Sequence, residues 1–526
     1  MKRYALALAA VLATTGVAMA QTPRDTLVVG AKFDDILSLD PHESFEFTGS
    51  EFGGQVYDKL IGFDPANIGP LKPGAAESWT VSEGGKVITF KIRQGIKFHS
   101  GNPLTAEDVA YSVARAVTMN KAPGFIITQF GLNKDNVKDK ARAVDAQTFR
   151  FETDKAYATT FVLNCLSANV ASIVDSKLVK SNEKDGDWGN TWLKTNAAGS
   201  GPFKLVTWRA NETLSYERFD GYWGGAPKIR RVLLRHMPEH ATKRLAIEKG
   251  DIDVARDLQG DHVKALEGNP NITVRAVLKS YIAYAGLNTK SPILGKPQVQ
   301  QALKYLVDYD QVAKTVLAGA YATQQNYIPQ GFLGAIKDQP FKLDVAKAKQ
   351  LLAEAGYPNG FNITMDVTNT FPWPEIAQAM QATFAQAGVK AELIPGDFRA
   401  TLTKYRARNH DIYLGRWGAD FLDPHSNADA FAKNVNNADD APAKPLAWRN
   451  AWKNDELSEM TNAAMIEGDA EKRQKLYEDA QRKFTGVSPF IIMFQNTELL
   501  AERKNVKGLY LGPVSETTFF KTVEKN

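Results

Sequence analysis

The chain has 526 residues, more than one hydrophobic core usually organises, so at least two domains or lobes are expected. With 44% apolar and 23% charged residues it is neither disordered nor fibrous, and only its extreme N-terminus offers a long, nearly charge-free apolar run, which argues against a polytopic membrane protein. A formal charge of +5 is too small over this length to point to nucleic acid, and a single cysteine, Cys165, excludes an intramolecular disulfide, a Cys-only metal site and an iron–sulfur cluster.

In chain order, Lys2 and Arg3 precede an apolar stretch from Tyr4 to Ala13, and Ala18-Met19-Ala20 forms a cleavage pattern ahead of Gln21. Residues 1–20 therefore read as a signal peptide. No cysteine stands at the cleavage point, so a lipoprotein anchor is not expected and the mature protein is expected in the periplasm. From Lys86 to Phe98 the sequence alternates like a half-buried strand, with Ile88, Phe90 and Ile92 on one face. Thr105, with Asp108 three residues later, predicts a capped helix start. Val232 to Met237 reads as a strand with a helix starting near Pro238. Asp344 is expected to cap a helix ended by Gly356, followed by a strand over 361–367, a helix with Pro374 in its first turn, and a strand over 390–394. Asp455 to Phe484 reads as helical with a break at Gly468-Asp469. This alternation predicts an α/β or α+β protein with several mixed sheets.

Enzyme motifs largely fail. No Walker loop, G-x-S-x-G elbow or H-E-x-x-H is present. His236-Met237-Pro238-Glu239-His240 fits H-x-x-E-H, but Pro238 splits it between a strand and a helix, so the imidazoles cannot share a helix face. Asp420, Asp423, His425 and Asp429 form a second tempting group for a divalent cation; Pro424 and the turn-forming residues favour a loop or cap instead. The expectation is no metal, no cofactor and no catalytic residue.

Several segments, in order, resemble the extracytoplasmic solute-binding proteins of the peptide, oligopeptide and nickel ABC-importer family, bacterial solute-binding protein family 5. They include Leu39-Asp40-Pro41-His42, Val56-Tyr57-Asp58-Lys59-Leu60, Pro73 to Trp79, Gly199 to Phe203, Tyr222-Trp223, Glu248 to Asp253, Gly286 to Thr289, Ala348 to Gly356 and Trp417 to Pro424. The resemblance implies a two-lobed periplasmic-binding-protein fold of the type II-like, large peptide-binding class. Lobe 1 would be discontinuous over 21–60, 186–284 and 496–526, with a subdomain at 61–185 inserted in it. Lobe 2 would span 285–495, with a hinge near Tyr284–Asn288 and Gln495–Thr497. It also implies a monomeric receptor that closes on a peptide or small solute and delivers it to membrane permease subunits with cytoplasmic ATPases.

In peptide-binding relatives the aspartate at the position of Asp420 pairs with the ligand's α-ammonium group, so Asp420 is the leading ligand-binding candidate. Trp417 and Phe421 bracket it and can pack on ligand side chains. The loop Phe45-Glu46-Phe47 matches a family segment that offers backbone hydrogen bonds to an extended ligand. Dipeptide-binding relatives hold the ligand carboxylate with an arginine at a junction that here reads Asn369-Thr370-Phe371-Pro372-Trp373-Pro374-Glu375, without a cation. Trp373 is therefore a further aromatic candidate, and short dipeptides with free C-termini are expected to be poor ligands. The alternatives are a secreted hydrolase acting on a peptide-like substrate, which lacks any nucleophile–base constellation, and a nickel or haem carrier.

Overall fold

The structure, a computed structural model, describes residues 22–64 and 67–526; the signal-peptide reading of residues 1–20 lies outside them. Local signals explain many of the element boundaries. The Asp108 carboxylate accepts the Thr105 backbone N–H at 2.9 Å, closing the capping box of helix Ala106–Met119. Asp344 accepts the Lys347 N–H at 2.8 Å and starts helix Val345–Glu354. Helices Asp455–Ile466 and Ala470–Val487 are separated at Gly468-Asp469, where Asp469 caps the second. The strand read over 86–98 is shorter, Val87–Ile92, because Gly95 turns the chain at φ 82°.

Among the described residues one mixed sheet of eleven strands runs through the whole molecule. Its lobe 1 half pairs Thr26–Ala31 in parallel with Arg231–His236 and Val254–Ala255, and continues through Thr213–Arg218 to Phe203–Arg209. Its lobe 2 half pairs Asn362–Thr368 in parallel with Lys390–Gly396 and with Ile412–Trp417. Two long antiparallel strands, Ile272–Leu287 and Phe490–Arg503, belong to both halves. Their register shifts between Leu278 and Ile282, opposite Gln495–Thr497, and again at Ala283/Tyr284, opposite Ile492–Phe494. The irregularity on the first strand begins several residues before the Tyr284–Asn288 span read from the sequence. A bulge adds an unpaired residue, so the shared ribbon bends here.

Separate apolar cores sit on the two sides of that ribbon. Phe33, Phe52, Tyr216 and Leu234 belong to the core of lobe 1, and Met365, Ile376, Phe384 and Leu414 to a core of lobe 2. A four-stranded antiparallel sheet, Ala76–Ser82, Val87–Ile92, Thr148–Glu152 and Ala141–Asp145, carries a third core with Phe90, Phe130, Phe149 and Phe161. That core also contains Phe421 and Met465, so the inserted subdomain meets lobe 2 through apolar packing. No helix of the described residues is long and apolar enough to cross a membrane.

Several motif segments turn out to brace the fold. Asp40 is buried and accepts both Arg115 guanidinium nitrogens at 2.7 and 2.6 Å. Tyr222 and Trp223 both donate to Asp58, at 3.2 and 3.1 Å, with Ser200 at 2.8 Å; burial still pushes the Asp58 carboxyl up to about 6.

Candidate ligand-binding site

Strand Ile412–Trp417 brings the Trp417 segment to the ribbon, with Trp417 opposite Ile282 just past the register break. At Gly418 a β-carbon would lie 2.5 Å from the Tyr281 ring, so a larger residue would push this loop away from the ribbon. Asp420 follows, its backbone N–H donating to Ser426 Oγ at 2.8 Å. Its half-buried carboxylate makes no hydrogen bond and no ion pair among the described residues. Burial and the charges of Glu516 and Asp429 push it up to about 7, opposed by Arg449.

Glu516 comes from the C-terminal segment, which is tied to the bulged strand. The Ser280 N–H donates to the Pro513 carbonyl at 2.9 Å, and Lys279 Nζ to the Gly512 carbonyl at 2.6 Å. Glu516 accepts the Asn169 backbone N–H at 3.4 Å and has no ion pair among the described residues. Burial pushes its carboxyl up as well. Asp420 and Glu516 are thus two carboxylates near one another at the Tyr281 ribbon, neither held in an ion pair among the described residues; Lys59 and Lys279 act on Glu516 only at longer range. Sequence reasoning missed Glu516, because a lone glutamate in a C-terminal loop carries no motif.

Aromatic groups complete this face. Phe47 is 42% exposed and meets Tyr281 edge-on, with centroids 4.5 Å apart. The exposed Arg416 guanidinium lies over both rings, 5.7 Å from Phe47 and 5.1 Å from Tyr281. Trp417, the next residue along the strand, points the other way and its buried indole N–H has no hydrogen-bond partner. The segment read as a loop is partly helical: Glu46 is the N-cap and Phe47 the first residue of helix Phe47–Val56. Phe45 turns toward the subdomain, edge-on to Phe125 at 5.9 Å.

Two of the aromatic candidates lie in cores. Phe421 is 4% exposed and packs on Phe161 at 5.8 Å, and Trp373 is 7% exposed within the lobe 2 core. At both positions an apolar ring is buried by its own lobe or by the subdomain, which removes the area it would offer a ligand. The tempting acidic group also separates. Asp423 caps helix Pro424–Phe431 and is clamped by Arg473 at 2.7 and 2.9 Å, while Asp429 pairs with Lys433 at 2.7 Å. Burial pulls His425 down to about 4, so it is neutral at pH 7. His236 accepts the Phe33 N–H and His240 contacts the Asp257 carbonyl; among the described residues no three His, Cys, Asp or Glu side chains converge for a metal. A cavity of about 550 Å³ lies elsewhere, on lobe 1 beside Tyr216 and Arg231; the cleft is distinguished by its unpaired polar groups, not by volume.

Residues 70–439 match the model of the bacterial extracellular solute-binding proteins, family 5. The chain belongs to that family. Curated relatives include the probable D,D-dipeptide-binding periplasmic protein DdpA of Escherichia coli, 27% identical over 97% of this chain and 96% of the relative. Among solved structures, the periplasmic binding protein DppA of Helicobacter pylori in complex with peptide STSA superposes with a TM-score of 0.78 at 26% identity, covering 95% of this chain and 98% of that one. HbpA2 of Haemophilus parasuis gives 0.80 at 25% identity, covering 95% and 100%. The family 5 fold is the two-lobed, mixed α/β architecture described above, and its members are solute-binding proteins of ABC importers.

Proposed function

We propose that this protein captures an amine-bearing solute, a peptide in the first instance, between its lobes and hands it to the permease of an ABC importer whose cytoplasmic ATPases supply the energy. The observation that carries this reading is the Asp420 carboxylate, half-buried at the inter-lobe ribbon and without a protein cation. An ammonium group there would gain a charge-assisted hydrogen bond in a poorly solvated site. Glu516 on the opposite lobe adds a second negative charge, so a bound cation would draw the lobes together. Phe47 and Tyr281 offer an aromatic wall, while Trp417 turns its ring to the core around Tyr284 and Tyr327.

The same reading bears on the ligand's other end. Residues 369–375 contain no cation; Lys404 is neutralised by Asp366 at 2.6 Å, and Arg399 and Arg406 are exposed on helix Phe398–Arg406. A carboxylate at that junction would be unpaired, so longer peptides or amidated ones fit better than free dipeptides. We also assign 21–60, 186–284 and 496–526 to lobe 1, 61–185 to its subdomain and 285–495 to lobe 2, the bend lying at the Leu278–Ile282 bulge. The working form is a monomer released into the periplasm by cleavage after Ala20, with no lipid anchor.

The test is mass spectrometry of whatever co-purifies with the protein, followed by calorimetry with dipeptides, their amides and tri- to pentapeptides. Saturable binding without product formation supports a receptor. Tight binding of free dipeptides that is lost on amidation would overturn the ligand assignment, and bound haem or nickel would redirect it to those cargoes.

A further inference from the structure

The outer face of the inserted subdomain carries a cavity of about 470 Å³ whose lining residues all fall between positions 110 and 188, apart from the inter-lobe cleft. Its apolar floor is made of alanines: Ala110 and Ala114 from helix Ala106–Met119, Ala141 and Ala143 from strand Ala141–Asp145. Small side chains on both elements leave a shallow, flat surface. One wall is aromatic, with the Tyr111 and Trp188 rings 5.6 Å apart and tilted by 39°.

Trp188 is held in an uncommon conformation. Its φ is 57°, in the left-handed region that bulky residues avoid, and its carbonyl accepts Arg115 Nε at 2.7 Å. Arg115 is in turn fixed by the buried Asp40. The half-exposed indole is therefore positioned from the core outward, and such strain persists only where the surroundings over-determine it. The Tyr111 hydroxyl is buried without a hydrogen-bond partner. Around the rim stand Lys138, Arg142 and Lys180 against a single acid, Glu183. All four are exposed, and none is in an ion pair among the described residues. The Lys180 ammonium sits 4.7 Å above the Tyr111 ring.

We propose that this cavity is a second small-molecule site, distinct from the cleft, that takes a flat aromatic anion such as an aromatic carboxylate. The volume falls in the range of small-ligand pockets, about 300–1,000 Å³. The alanine floor accepts a ring face, the Trp188 edge adds an aromatic contact, and the rim cations meet the anion. A cationic ligand is disfavoured, because the rim is positive and Lys180 already covers a face of Tyr111. The floor lies below a rim of cationic and aromatic side chains, a concave shape that favours a small molecule over a membrane surface, which would need a broad convex patch. The subdomain builds the site together with Trp188, at the start of the 186–284 segment, and the lining shares no residue with the cleft, so binding there is independent of Asp420.

The test titrates the mature protein with 1-naphthoate, and with 1-naphthylmethylammonium as the same ring bearing a positive charge. Naphthoate should bind at one equivalent and at least about tenfold more tightly than the amine. Trp188→Ala should weaken naphthoate at least about tenfold, and so should the exposed pair Lys138→Glu/Arg142→Glu, whose fold is checked by circular dichroism. Asp420→Ala should leave naphthoate affinity unchanged. No saturable naphthoate binding, equal affinity for the amine, or unchanged affinity in Lys138→Glu/Arg142→Glu would overturn the proposal. So would co-sedimentation with phosphatidylglycerol vesicles without naphthoate binding, which would make this a membrane-facing surface.

Discussion

Asp420 and Asp423 lie on the same loop, yet their surroundings are opposite. Asp423 is 1% exposed and bound by both Arg473 terminal nitrogens, the Asn164 amide and a helix N-terminus. Asp420 is half-buried and faces other carboxylates. One acid completes the contact between the subdomain and lobe 2, where Phe161 packs on Phe421 and on His425 at 4.8 Å and the Ala158 N–H donates to the Met465 carbonyl at 3.0 Å. The other is left for something outside the chain. A buried charge costs several kcal/mol unless paired, so an acid the fold partly buries without pairing is poised for an external cation, whereas a paired one is structural.

Breaking the paired acid should have the largest effect. Asp423→Ala leaves the buried Arg473 guanidinium without its counter-charge, and should cost about 3–5 kcal/mol of stability in urea denaturation; a loss below about 1 kcal/mol would mean that the pair is not holding this region. Asp420→Ala should do the reverse. Stability stays within about 0.5 kcal/mol or rises, while calorimetry with the amine ligand identified by co-purification shows a loss of about 2–5 kcal/mol. An unchanged dissociation constant would remove Asp420 from the site.

Asn164→Ala sharpens the contrast from the subdomain side. It removes a hydrogen bond of 3.1 Å to the charged Asp423, worth about 1.5–3 kcal/mol, and should leave ligand binding in the cleft intact if the two acids act separately. The last test concerns protons. The Asp420 carboxyl is raised from its ordinary 3.8 to about 7, so the folded protein takes up a proton that the unfolded chain releases. Its contribution to stability is therefore greatest below about pH 4 and declines as pH rises through 7. The groups that face it are Glu516, Asp429 and Arg449. The difference in stability between the natural protein and Asp420→Asn should drift across pH 4–7 and flatten above it, and amine binding should weaken as pH falls below 7. A flat difference would show that Asp420 titrates normally.

Much of the local structure was legible because it rests on short-range chemistry. Thr105 with Asp108, Asp344 ahead of its helix, and the Gly468-Asp469 break each act within a few residues. The position of the bulge was not legible, since Tyr281 to Tyr284 reads as strand and the register shift arises from pairing with residues more than two hundred positions away. The aromatic assignments at Phe421 and Trp373 were equally beyond local reading, because a ring suits a core and a cleft alike and only its neighbours decide which.

The sequence by itself determined the alternation of strands and helices, the division of H-x-x-E-H between a strand and a helix, and an ordered set of segments that implies a solute receptor. Periodicity, capping and proline geometry are properties of the chain over a few residues, so they survive being read in one dimension. Only the tertiary structure decided which acid is paired, that Glu516 reaches the ribbon beside Tyr281, and that Arg115 holds Trp188 at the rim of a second cavity. Burial and charge pairing depend on which residues the fold brings within a few ångströms, and that information is distributed over the whole chain.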